Sequence, residues 1–178
     1  MLTKNDIEKY FIAEKQESIL FFSIGIIAIL TALFFIFYFK NNLFRGLAIP
    51  LILIGILQCI VGFTVYTRSD VDRVKMVYAY DMNPSTFKEK ELPRMEKVNK
   101  NFVFYRWSEI TLFIIGISIF LKYRNNYSII ESWNGNAFIY GIGIAIAIQA
   151  VICLGTDYFA KKRANIYTNH IKDFINKK

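Results

Sequence analysis

Three stretches of this chain carry no charged residue, and each is long enough to cross a bilayer as a helix. They lie between Glu17 and Lys40, between Arg45 and Arg68, and between Glu131 and Asp157. About 20 apolar residues span the hydrocarbon layer at the helical rise. A soluble domain of 178 residues buries its core without such runs. A fourth apolar run, Ile110 to Leu121, is shorter. At 54% hydrophobic residues and a mean hydropathy of +0.33, the composition agrees. The chain therefore reads as an all-α membrane protein: a four-helix up-down transmembrane bundle with helices extended into the cytoplasm. The expected spans are about 18–39, 43–66, 107–123 and 137–157, in a single membrane domain covering 1–178. A helical hairpin over 67–106 and a tail helix over 158–176 are expected on the cytoplasmic side.

Orientation follows from where the basic residues fall. Of the 22 Lys and Arg, eighteen lie before the first span, between the second and third, or after the fourth. Only Lys40, Arg45, Lys122 and Arg124 lie in the other two loops. Basic loops stay on the cytoplasmic side, so both termini are expected there, in a multi-pass protein of the bacterial inner (plasma) membrane. The net charge of +8 does not imply nucleic-acid binding, because acidic residues accompany nearly every basic one. The first span is too long for the apolar core of a cleavable signal peptide, and no A-x-A-like site follows Phe39. Cys59 and Cys153 both lie in apolar spans, where a disulfide is not expected.

Local signals refine the helices. In residues 3–17, Ile7, Tyr10, Phe11 and Glu14 share one face, with Thr3 or Asn5 able to cap the start. Lys40-Asn41-Asn42 reads as a short external turn, and Pro50 as a kink tolerated in a membrane helix. Past Tyr66, Val71, Val74 and Tyr78 keep the helical register. Asp81 to Ser85 is a turn signal, and Pro93 suits the first turn of the next helix. Met95, Val98, Phe102, Tyr105, Glu109 and Leu112 then recur at heptad spacing. In the tail, Phe159, Arg163, Ile166, His170 and Phe174 are expected along one face. Trp107, Trp133, Tyr38, Tyr66, Tyr123 and Tyr158 fit an aromatic belt. Gly55, Gly62, Gly116, Gly141 and Gly143 would let helix backbones approach closely.

Few polar residues could carry a function. The short third span draws Glu109 toward the membrane, and an ionisable residue at that depth needs a partner. Arg68, Arg106 and Asp157 lie at similar depth, so Arg68, Arg106, Glu109 and Asp157 form the candidate polar cluster at the inner boundary, with Arg68–Glu109 the preferred pair. Gln58 and Gln149, near the middle of their spans, form a candidate intramembrane pair whose amides can satisfy each other. The alternative for these amides is a polar lining in an oligomeric channel or transporter. Neither a phosphate-binding glycine loop, nor a Ser/His/Asp set, nor metal-ligand spacing occurs. No catalytic, cofactor or metal site is expected, and the protein reads as not an enzyme.

The segments Ala13–Ser18, Thr64–Asp70, Leu92–Lys97 and Phe102–Trp107 resemble those of a family of small bacterial four-span membrane proteins. That resemblance implies the topology and no mechanism. In size and topology the chain is also similar to the four-span immunity proteins that neutralise pore-forming bacteriocins. It is similar in the same way to small membrane accessory proteins encoded beside phage-defence systems. Arg163 and His170 fit the loose end of the R-x(4–6)-H pattern of HEPN ribonucleases, which implies a membrane-tethered ribonuclease as a further alternative. The leading expectation is a non-enzymatic accessory or immunity-type protein of bacterial defence, which acts by partner binding at the inner membrane or forms an oligomer through the cytoplasmic hairpin. Its partners would be the lipid bilayer and either another protein or a second copy.

Overall fold

The computed structural model describes residues 2–124 and 135–176. Residues 125–134, with Trp133 of the expected aromatic belt, lie outside the described residues. Four long helices carry the chain: α1 (Lys4–Phe34), α2 (Asn42–Met82), α3 (Pro84–Tyr123) and α4 (Gly135–Asn176). Each is long and apolar enough to cross a membrane by length and composition. They bundle in two compact units. One comprises Met1–Leu20, Gly62–Arg106 and Thr156–Lys178; the other comprises Phe21–Val61 and Trp107–Gly155. We call them the charged and the apolar unit.

The helix ends are built from short-range chemistry. The Thr3 side chain accepts from the Asp6 amide at 3.2 Å while the Asp6 carboxylate accepts from the Thr3 amide at 2.9 Å. This reciprocal capping box assigns the start of α1 to Thr3 rather than Asn5. A single π-helical turn, Phe35–Phe39, follows α1. Lys40 then adopts a left-handed conformation (φ 49°) that ends it. The Asn41 side chain accepts from the Phe44 amide at 3.0 Å and opens α2. Phe39 stacks on Phe44 across this turn, with centroids 3.9 Å apart.

The hairpin differs from the sequence expectation at one proline. α3 begins at Pro84, not near Pro93, which lies inside the helix. Asn83 is the N-cap, accepting from the Thr86 amide at 3.2 Å, and Pro84 occupies the first helical position, where a missing N–H costs nothing. Pro93 removes one helical bond, but it sits on an exposed face where water can serve the freed carbonyl. Pro50, expected to kink α2, is likewise contained within the continuous helix.

The apolar unit is packed on small residues. Ala28, Ala32, Ala48, Ala145, Ala147 and Ala150 are buried, whereas Ile27, Leu30, Leu57, Ile60, Ile114 and Val151 point outward. A Cβ on Gly25 would stand 2.7 Å from the Gly55 carbonyl oxygen, so α1 and α2 touch backbone to backbone. A Cβ on Gly46 would collide with the Phe138 carbonyl, which fixes α2 against α4. α3 meets α4 where Gly116 faces Gly143 and Ala147. Gly25 and Gly46 join Gly55, Gly116, Gly141 and Gly143, four of the glycines expected from sequence to permit close approach.

The charged unit has an ordinary apolar core. Ile7, Phe11, Met76, Phe87, Met95 and Ile171 are buried and draw on all four helices. The Ile7–Tyr10–Phe11 face of α1 is the buried one. On α3, Met95 is buried but Tyr105 and Leu112 are exposed, because a straight helix drifts about 20° per heptad away from a strict seven-residue stripe. In the tail, which is helical as expected, Phe159 and Ile166 are exposed and α4 buries Ala164, Tyr167, Thr168 and Ile171.

Candidate functional site: a charge layer inside the charged unit

Glu91 is the least expected residue of this core. Its side chain is fully buried, at 0% exposure, within the charged sequence Lys88-Glu89-Lys90-Glu91. A buried carboxylate needs a matched cation and satisfied oxygens. One helical turn later Arg94 supplies both. Its Nε and Nη2 donate to the two Glu91 oxygens at 2.8 and 2.6 Å, the bidentate fork in which Arg is most effective.

Aromatic rings close the layer. The Arg94 guanidinium lies 5.0 Å from the Phe11 ring centroid and 6.0 Å from that of Tyr10. Tyr10 stacks on Tyr167 of α4, with centroids 4.3 Å apart and planes 12° from parallel. Over the Tyr10 ring, at 5.8 Å, sits a second guanidinium, that of Arg163. Both of its terminal nitrogens donate to Glu17. Glu14 completes the layer: the Ser69 hydroxyl donates to it at 3.0 Å and the Tyr10 hydroxyl at 3.4 Å. Arg68 stands 3.6 Å from Glu14. Beside it, Lys15 pairs with Asp70 and lies 4.7 Å over the Tyr66 ring.

The electrostatics follow from burial and from these pairings. Burial pushes the Tyr10 phenol well above its ordinary pKa, and the Glu14 carboxylate adds to the effect. Burial also raises Tyr167, assisted by the neighbouring Glu91 carboxylate. For Arg94, burial acts against the charge, but the Glu91 carboxylate outweighs it and raises the pKa further. Both phenols therefore stay protonated and Arg94 stays charged throughout the physiological range. The layer holds three guanidinium–glutamate pairs, Arg94–Glu91, Arg163–Glu17 and Arg68–Glu14, set among aromatic faces. Such an arrangement fixes which helix faces meet.

The residues singled out by sequence are distributed differently. Gln58 and Gln149 meet in the apolar unit, each 1% exposed, with Gln58 Nε2 donating to Gln149 Oε1 at 3.3 Å. Cys153 Sγ lies 3.5 Å from the same nitrogen. Of the expected boundary cluster, Arg68 stands 3.6 Å from the Glu14 carboxylate of α1. Arg106 is exposed, whereas Glu109 on α3 and Asp157 on α4 are half-buried. Arg163 is engaged by Glu17, and His170 Nδ1 lies 3.9 Å from the Asp6 carboxylate. Among the described residues, no three His, Cys, Asp or Glu side chains gather in a way that could hold a metal ion.

Sequence reasoning missed Glu91, Arg94 and Tyr167. A Glu–Arg pair at i, i+3 on a helix also carrying buried Phe87 and Met95 was the available signal. No protein-family model, curated protein or solved structure matches this chain. The resemblance drawn from residues 13–18, 64–70, 92–97 and 102–107 thus rests on those segments alone.

Proposed function

We propose that this chain is a four-span protein of the bacterial inner membrane, running up-down with both ends cytoplasmic, which acts by binding a protein partner rather than by chemistry. The observation that carries the membrane reading is the inverted packing of the apolar unit. Its large aliphatic residues face outward, while Ala, Gly and a hydrogen-bonded glutamine pair fill its interior. Water penalises that distribution and lipid favours it. The charged unit instead encloses large apolar side chains, Phe11, Phe87, Met95 and Ile171 among them, and carries exposed lysines such as Lys75, Lys97 and Lys100, as an aqueous part should.

Partner binding is supported by the character of the charged unit. Its buried ionic groups are committed to one another, and an outer face of α2 is apolar and exposed at Val71, Val74 and Tyr78. An accessory or immunity-type role, as in bacterial defence, would use such a surface. The hydrogen bond that Gln58 Nε2 donates to Gln149 Oε1 supports a packing role for these amides over the lining of a pore.

Two measurements test this reading. Chain expressed in bacteria should stay in the membrane pellet through alkaline extraction. In intact cells, an impermeant thiol reagent should label Lys40→Cys but neither Lys90→Cys nor Lys162→Cys. The reverse labelling pattern would refute the orientation. Cells lacking the protein should lose survival under a pore-forming bacteriocin or phage challenge; unchanged survival across both would remove the immunity-type role.

A further inference from the structure

Within the charged unit, α2 leaves one face without cover. Val71, Val74 and Tyr78 are 66%, 64% and 65% exposed, and with Asp70 and Lys75 they line a shallow surface groove. These residues lie beyond the second expected span, so lipid does not account for them. Tyr78 is twelve residues past Tyr66, about 18 Å along the helix. Apolar side chains held out into water in a row mark an interaction surface.

The spacing of the row is specific. Thr64, Thr67, Val71, Val74 and Tyr78 are separated by three, four, three and four residues, and all are exposed. That is the a/d seam of a coiled coil. Counting back along α2, the same spacing meets Ile60, Leu57 and Leu53 in the apolar unit, each exposed in its turn. Counting forward, it stops at Asp81, whose carboxylate pairs with Lys4 at 2.9 Å. The threonines are small enough to let two helices approach.

We infer that α2 pairs in parallel with α2 of a second copy along this seam. The argument for a copy, and for parallel pairing, is charge complementarity. In a parallel pair, the residue before an a position faces the residue five places later on the other helix. Asp70 precedes Val71, and five places later stands Lys75. Each copy thus sets Asp70 against the other's Lys75, and the twofold axis repeats the pair. Lys75 makes no ion pair with any described residue of its own chain, while Asp70, already beside Lys15 and Arg73, keeps 46% of its side chain exposed. Parallel orientation rests on the membrane reading above, because copies inserted in the same sense present α2 in the same direction.

Cysteine cross-linking of the full chain in native membranes tests this. Val71→Cys, Val74→Cys and Tyr78→Cys are made singly, with the wild-type chain, which retains Cys59 and Cys153, as the blank. Lys97→Cys, exposed on α3, is the off-seam control. Mild oxidation should give a disulfide-linked band of twice the chain mass at all three seam positions and not in the blank or control. Adding Lys75→Glu to Val74→Cys should leave roughly tenfold less linked dimer, because both symmetric pairs turn repulsive. Linkage at Val74 alone indicates antiparallel pairing and overturns the proposal. So does linkage to a protein of another mass, an undiminished dimer with Lys75→Glu, or chain that resists alkaline extraction yet links at no seam position. Chain that leaves the membrane pellet overturns the membrane reading itself, and the parallel orientation with it.

Discussion

At the scale of single residues, Glu91 and Arg94 make opposite demands on the fold. Each is costly to bury alone, and together they are nearly neutral. Replacing Glu91 by Gln keeps the shape but strands the Arg94 charge, so Glu91→Gln should destabilise the chain by about 3 kcal/mol. Glu91→Leu combined with Arg94→Met should cost less than either change alone. Thermal denaturation in detergent micelles measures both, and an unchanged midpoint for Glu91→Gln would show the pair to be inert. The two stacked phenols give a pH dependence of definite sign. Tyr10 and Tyr167 are raised above the ordinary value of 10.0, so above about pH 10 the unfolded chain holds fewer protons than the folded one. Stability should be insensitive to these groups below that pH and fall above it. In a spectroscopic titration, two of the eleven tyrosines should resist ionisation until the protein unfolds. Tyr10→Phe with Tyr167→Phe should flatten the alkaline slope. Of this layer, the sequence showed the shared face of Tyr10 and Glu14 but not the part played by Glu91, Arg94 or Tyr167. Glu91 sits among charged neighbours that look like a solvated face, and its burial depends on Tyr10 and Tyr167, which reach it from other helices.

At the scale of the helix, apolar spacing and end chemistry carry most of the information. The four helices could be read from charge-free runs and from continuity of register past Tyr66, because a helix is set by neighbours three and four residues apart. Two features needed more than that. Pro93 looked like a helix start, but Asn83 and Pro84 make the better one, since a capping side chain and a ring at the first position act together. In α4, the sequence placed Phe159 and Ile166 on one face but did not say which face is buried. The buried one is marked by Ala164, Tyr167 and Ile171, less hydrophobic on average but matched in shape to the core around Phe11. Helix contacts in the apolar unit are set by what is missing from the side chain. Gly46→Ala should therefore lower the thermal midpoint by several degrees, as a methyl group forces α2 off the Phe138 backbone. Gly155→Ala, on α4 and with nothing within 4 Å of the new Cβ, should be neutral or stabilise by about 0.5–1 kcal/mol through helix propensity. Equal effects at the two sites would mean that backbone proximity does not govern this packing.

At the scale of the whole molecule, each helix passes from one packing rule to the other along its own length. The substitutions each segment tolerates should change in step. In the apolar unit, outward positions such as Leu57 and Ile114 should accept almost any large apolar residue and reject charge, while inward Ala28 and Ala145 accept only what is equally small. In the charged unit, outward Lys75 and Lys97 should accept most polar residues, while inward Phe87 and Ile171 require bulk. A saturation library scored by the amount of folded protein would expose this. Along α4, the preference for large apolar residues should move from the outer face to the inner face close to Thr156. A profile showing the same inward and outward preferences on both sides of that point would argue that one solvent surrounds the entire chain. For anyone comparing divergent relatives, substitution matrices averaged over the whole length would blur two opposite signals, so the two units should be aligned under separate scoring rules.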